Sequence, residues 1–229
     1  MPTLSTLAII PARGGSARIP RKNLFKVSGK SLLELSIDHA KESTHVDRII
    51  VSTDDREIMK VSLDCGVEAI ERPESLATGS ATSEQSLIHV LDHLALTESY
   101  IPDEIVFLQC TSPFRRADDI DSAISFFRSK NYDVVFSATR YRKYLWELQG
   151  DEAKSINFRY DAERWMEQDF PAQFQENGSI YILKPWVLRS LSYRFGGKIG
   201  IHLMDDISAL QIDEPDDLVL FEKLMHLNA

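Results

Sequence analysis

The sequence predicts an α/β protein built on a mainly parallel sheet. Two observations carry that reading: short, near-continuous apolar runs recur along the chain, and stretches of helical periodicity separate them. A strand buried on both faces is apolar throughout, and helices between such strands supply the two covers. A third observation locates a site. The runs end in polar or glycine-rich turns, and an open parallel sheet binds its ligands beyond the carboxyl ends of its strands.

Taken in order, strands are expected at residues 7–11, 48–52, 67–71, 104–109 and 133–137, and helices at about 31–43, 55–65, 83–96 and 118–129. The rhythm breaks after Ala138. Residues 139–174 are aromatic and charged without a clear period, and two of the three tryptophans, Trp146 and Trp165, fall there. Large aromatics outside a core favour a contact surface, so this stretch is expected to be an inserted arm or lid. The sheet is expected to resume at 179–183 and 198–203, and a helix at 215–227 closes the chain.

The 229 residues suffice for a sizeable core, and with no repeat or low-complexity tract residues 1–229 are expected to form one domain. Net charge is −9, which argues against a nucleic-acid partner, because duplex binding needs a broad basic face. The apolar run from Leu7 to Ile10 is too short for a signal peptide or a membrane span, so no membrane association is expected. Cys65 and Cys110 form no Cys-x-x-Cys pair, so neither a disulfide framework nor a zinc knuckle is indicated, and a cytoplasmic protein is expected.

Charge is unevenly placed. Before Glu34 the chain carries Arg13, Arg18, Arg21, Lys22, Lys26 and Lys30 and no acidic residue, although its totals are 26 basic and 35 acidic. The cations surround Gly14 and Gly15 just after the first strand. Glycines let backbone amides approach an anion, and Arg13 and Lys22 add charge, so a phosphate-binding loop is expected there. The loop is neither Gly-x-Gly-x-x-Gly nor a P-loop, which removes the main support for dinucleotide and P-loop readings.

Six segments, in order, point to a family. They are Pro-Ala-Arg-Gly-Gly-Ser followed by Pro-Arg-Lys-Asn (11–23), Ile-Ile-Val-Ser-Thr-Asp (49–54), Glu-Arg-Pro-Glu-Ser-Leu-Ala (71–77), Leu-Gln-Cys-Thr-Ser-Pro (108–113), Glu-Asn-Gly-Ser-Ile-Tyr (176–181) and Ile-Asp-Glu-Pro-Asp-Asp-Leu (212–218). With these the chain resembles the acylneuraminate cytidylyltransferases, which make CMP-activated sialic and related nonulosonic acids. The resemblance implies a three-layer Rossmann-like nucleotide-diphospho-sugar transferase fold, CTP and a sugar acid as substrates, Mg2+ as cofactor, and a homodimer formed through the arm at 139–174. It implies transfer of CMP to the anomeric hydroxyl of the acid with release of pyrophosphate.

The resemblance also assigns roles. Arg13 and Lys22 grip the triphosphate with amides of Ala12, Gly14, Gly15 and Ser16 around it, and Asn23, Arg72, Ala81 and Ser83 face the base and ribose. Ser83 could equally cap its helix. Gln109 and Tyr181 face the sugar, although Tyr181 could be ordinary core. Asp213 is the metal candidate, since a hard cation takes carboxylate oxygens and keeps several waters. The family's Asp-Ile-Asp reads Gln211-Ile212-Asp213 here, so Gln211 either ligates through its oxygen, yields to a water, or leaves metal binding weaker. Asp216 and Asp217 are expected in the acidic first turn of the last helix.

The sugar side departs further. Glu167 and Gln175 stand where arginines would hold the sugar carboxylate, which leaves Arg140, Arg142, Lys143, Arg159 or Arg164 as substitutes, or a different acceptor. A KDO-like acid or a sugar phosphate as acceptor therefore stays open, as does a catalytically weak nucleotide-binding homologue. His89 and His93 have metal-ligand spacing but no third ligand, and Cys110 reads as a small buried residue.

Overall fold

The computed structural model describes residues 4–16, 18–161, 165, 166, 169 and 171–227, so Ala17, Arg164 and Glu167 lie outside the described residues. The chain opens with β1 (Thr6–Pro11), whose side chains alternate between two cores. Ala8 and Ile10 face one, Leu7 and Ile9 the other. A loop and a small hairpin, β2 (Lys26–Val27) and β3 (Lys30–Ser31), lead into α1 (Leu32–Glu42). Ser31 and Glu34 form a reciprocal capping box that fixes where α1 starts.

β4 (Arg48–Thr53) follows, then α2 (Arg56–Asp64), capped by Asp55, whose carboxylate accepts from the Glu57 and Ile58 amides at 2.8 and 3.0 Å. β5 (Glu68–Glu71), α3 (Ser83–Glu98), β6 (Glu104–Leu108), α4 (Ala117–Lys130) and β7 (Val134–Tyr141) continue the alternation. A hairpin, β8 (Trp146–Gln149) and β9 (Glu152–Ser155), precedes β10 (Gln173–Leu183), and α5 (Pro185–Leu191), β11 (Ile199–Leu203) and α6 (Pro215–Leu227) complete the chain.

Seven strands form one sheet in the order β11-β7-β10-β6-β1-β4-β5. All its neighbours are parallel except β10, which runs antiparallel between β6 and β7. Helices α1, α2, α4 and α6 contribute to the core on one face, and α3 and α5 to that on the other, giving three layers. Among the described residues, no helix is long and apolar enough to cross a membrane.

The described residues after Ala138 form strands that their sequence does not announce. β7 runs on to Tyr141 and β10 starts at Gln173, so the two strands extend beyond the sheet as a stalk. At its far end Tyr144, Trp146, Phe158 and Tyr160 pack ring against ring at 4.5–6.2 Å. Trp146, Leu148, Ile156 and Tyr160 are nonetheless exposed. Helix α5 also escapes the sequence reading, although Pro185 at its first position is a recognisable start signal.

Candidate active site

The loop after β1, the turn after β5, the start of α3 and the end of β6 enclose a crevice of about 300 Å³, and the turn after β4 does not line it. Eight of the expected residues line it: Arg13, Ser16, Lys22, Asn23, Arg72, Ala81, Ser83 and Gln109. Phe107 also lines it.

Ala12 is buried, and its amide extends the β1–β4 ladder by donating to the Ser52 carbonyl at 2.9 Å. The loop then turns sharply. The Gly14 amide donates to Asp54 Oδ1 at 3.1 Å, and a Cβ on Gly14 would fall 2.6 Å from Asp55 Oδ2. Glycine is therefore required here by the close approach of the cap of α2. Gly15 has open space around it. Asn23 Nδ2 donates to the Arg13 carbonyl at 3.0 Å and ties the two ends of the loop together.

Each cation of the loop has a counterpart. Arg18 meets Glu214 at 2.6 Å, Arg21 meets Glu57 at 2.6 Å, and Lys22 Nζ donates to Asp213 Oδ1 at 2.9 Å and to the Ile212 carbonyl at 2.7 Å. Arg13 reaches only the Thr78 carbonyl, at 3.3 Å. Arg72 is 6% exposed, donates to the Ser52 carbonyl, and leaves Nε without a partner. Burial pulls its pKa down and the charge of Asp54 opposes that. A buried cation short of acceptors is a strong electrostatic claim on an arriving anion.

Ser83 is the first residue of α3, and the cap is Thr82, which forms a box with Gln85. The capping alternative for Ser83 is thereby corrected: Gln85, three residues past Thr82, is what closes the box, and it leaves Ser83 turned to the crevice. Cys110 is buried, and burial pushes its thiol up to about 11, so it is neutral and no nucleophile at neutral pH.

Tyr181 lies in the core on β10, stacked on Phe107 at 5.1 Å, with its hydroxyl donating to Glu176. Arg194, which the sequence reading missed, lies over both rings, at 4.8 Å from Tyr181 and 5.1 Å from Phe107, and its Nε donates to the buried Glu84 at 2.6 Å. No spacing announces Arg194, because it comes from the loop after α5. Arg140, Arg142, Lys143 and Arg159 belong to the stalk and arm and do not line the crevice. Arg115, also missed, is 1% exposed and donates to the carbonyls of Ser179 and Gln109 at 2.8 and 3.3 Å, fixing the backbone from which Gln109 projects.

Asp213 does not line the crevice itself but pairs with Lys22, which does, and Asp217 turns its carboxylate back to accept from the amides of Asp213 and Glu214 at 2.9 and 2.7 Å. Gln211 points elsewhere, its Nε2 donating to the Asn177 carbonyl at 2.5 Å. No cluster of three or more His, Cys, Asp or Glu suited to a metal occurs among the described residues, His89 and His93 included. One half-exposed carboxylate fits a hard cation that takes its other oxygens from water and phosphate, and does not fit a cation caged by protein alone.

The cytidylyltransferase family profile matches residues 7–229. The chain is 31% identical over 221 residues to an N-acylneuraminate cytidylyltransferase of Streptococcus agalactiae, covering 94% of this chain and 52% of that protein. It therefore spans about half the length of that relative. It is 32% identical over 228 residues to the CMP-N,N'-diacetyllegionaminic acid synthase of Legionella pneumophila, covering 97% of each. Among solved structures, a CMP:2-keto-3-deoxy-manno-octonic acid synthetase complexed with CTP superposes with a TM-score of 0.73 at 18% identity, covering 98% of this chain and all of that one. That last likeness concerns the fold.

Proposed function

The chain belongs to the cytidylyltransferase family, and from that premise we propose that it transfers CMP from CTP to the anomeric hydroxyl of a nonulosonic acid, releasing pyrophosphate. The observation that carries the reading is the crevice, where the glycine loop, Arg13, Lys22 and the buried, under-partnered Arg72 converge at the strand ends. Relatives named for CMP-nonulosonic acid synthesis support the acceptor class.

The hydroxyl oxygen attacks the α-phosphorus, and the bond to the pyrophosphate oxygen breaks in line. The protein's part is positioning and neutralising charge, which dominate phosphoryl-type transfers. Arg13 and Lys22, with the amides of Gly15 and Ser16, hold the β- and γ-phosphates; the Ala12 amide, expected to join them, is spent on the Ser52 carbonyl in the sheet, and the Gly14 amide on Asp54. Lys22 exchanges Asp213 for the leaving pyrophosphate, while Asn23, Arg72, Ala81 and Ser83 orient the nucleoside. Asp213 would hold a divalent cation, Mg2+ in our reading, and such an ion supplies further neutralisation of phosphate charge. Gln109 faces the acid, and Arg194 lies over the rings of Tyr181 and of the crevice-lining Phe107.

The exposed apolar residues around the ring cluster of the arm support a homodimer formed there. We place the reaction in the cytoplasm, where CTP is available. The test is pyrophosphate release with CTP, Mg2+ and a panel of nonulosonic acids, KDO-like acids and sugar phosphates, with products weighed by mass spectrometry. Release with a nonulosonic acid and formation of its CMP adduct is expected. Release only with a sugar phosphate, or CTP binding with no release for any acceptor, would overturn the reading.

A further inference from the structure

Gln211 stands two residues before Asp213, and the two side chains serve different neighbours, the Asn177 carbonyl and Lys22. The Asn177 carbonyl can only accept, so the amide nitrogen of Gln211 must face it, at 2.5 Å. Gly178 makes room for this. Its φ is +65°, and a Cβ there would overlap Gln211 Nε2 and lie 2.7 Å from Gln109 Oε1. Two carboxamides, from the end of β6 and from the segment before Asp213, therefore close on one glycine. The turn they grip is rigid: Asn177 Oδ1 accepts from Ser137 Oγ at 2.6 Å and its Nδ2 donates to Ser208 Oγ at 2.9 Å.

We infer that Gln211 is a positioning residue for the acceptor side, clamping the Asn177–Gly178 turn against Gln109, and that Asp213 alone of the two faces the metal. Both halves rest on the cytidylyl-transfer reading, the acceptor half on its acid and the metal half on its CTP; the clamp of Gln211 on the turn does not. A carboxylate at 211 would set an anionic oxygen against the Asn177 carbonyl and lose the donor, so the clamp requires an amide. The residue replacing the family's first aspartate thus has another use. The cation then depends on phosphate oxygens and Asp213 for its charge partners.

The test compares Gln211→Ala, the apolar isostere Gln211→Met and Asp213→Asn with the unaltered chain. Mn2+ is titrated by electron paramagnetic resonance into protein saturated with CTP and free of acid. Both Gln211 variants should bind Mn2+ within about twofold of the unaltered chain while raising the KM for the acid roughly tenfold and leaving that for CTP unchanged. Asp213→Asn should weaken Mn2+ at least about tenfold. Thermal melts supply a readout that needs no turnover. Gly178→Ala should lower Tm by several degrees less in the Gln211→Ala background, where the overlapping amide is gone, than in the unaltered chain. Loss of Mn2+ affinity in Gln211→Ala to match Asp213→Asn, or equal effects of Gly178→Ala in both backgrounds, would overturn the inference. If CTP is not bound or no acid is turned over, the functional reading fails, and the melting arm still decides the clamp.

Discussion

Replacing Lys22 by alanine separates a catalytic cation from a structural one. The side chain is 13% exposed and makes two bonds, to the Ile212 carbonyl and to Asp213. The carbonyl bond contributes about 1 kcal/mol to stability. The ion pair contributes no more than about 1 kcal/mol, because Asp213 is 39% exposed and water screens it. The variant should therefore lose about 1–2 kcal/mol, a fall in Tm of roughly 3–6 °C for a chain of this size. Losing a charge-assisted contact that strengthens as pyrophosphate leaves is a larger effect, about 3–4 kcal/mol, or roughly 10²–10³-fold in kcat/KM. Pyrophosphate release and a thermal melt on the same preparation measure both. Turnover near that of the unaltered chain would refute the assignment. So would a fall in Tm of more than about 15 °C, which would make Lys22 a staple of the fold.

Two further predictions follow from the same geometry. Gly14→Ala must displace the loop or the Asp55 cap of α2, because its Cβ would fall 2.6 Å from Asp55 Oδ2; calorimetry should find CTP binding weakened about tenfold or more, and unchanged affinity would show that the loop does not approach the nucleotide. His39 on α1 has a buried Nδ1 without a partner, and burial, with the nearby charge of Arg115, pushes its pKa down to about 3. The unfolded chain then binds a proton below about pH 6.5 that the folded chain does not. Stability from this residue is complete above that pH and is lost toward pH 3, at up to about 1.4 kcal/mol per pH unit. Urea denaturation at pH 7, 5 and 4 should show the stability of His39→Leu rising relative to that of the unaltered chain as pH falls, and a difference independent of pH would refute the account.

What the sequence disclosed is what local chemistry encodes. The buried strands announce themselves as apolar runs, and Ser31 and Asp55 mark helix starts with their own side chains; at α3 the sequence offered Ser83 as the cap, and the structure gives Thr82. The crevice was legible because residues after successive strand ends meet there by topology alone. The reversal of β10 was not, since an antiparallel strand buried on both sides carries the same apolar run as a parallel one. The stalk was hidden because β7 and β10 leave the sheet together and there lose the burial that makes a strand recognisable. Arg194 and Arg115 were missed for a related reason. Their partners, Glu84 and the carbonyls of Gln109 and Ser179, are distant in sequence, and no spacing rule links them. Among the described residues the crevice itself holds the cations Arg13, Lys22 and Arg72, and the stalk arginines named from sequence stay outside it.

The pairing of the basic loop changes what nucleotide binding costs and how it responds to salt. Arg18, Arg21 and Lys22 already face Glu214, Glu57 and Asp213, and the Gly14 amide already faces Asp54. The loop thus holds three of its cations in ion pairs, while Arg13, on a carbonyl, and the buried Arg72, which feels the Arg13 charge, face no carboxylate hydrogen-bond partner. A triphosphate enters it by displacement, taking Lys22 from its carboxylate in the same event that frees Asp213. Counter-ion exchange within the protein takes the place of part of the counter-ion release to solvent, so affinity should vary less steeply with ionic strength than at an open basic patch. The acidic excess of this chain lies partly here, as resident anions that hold the place of the phosphates.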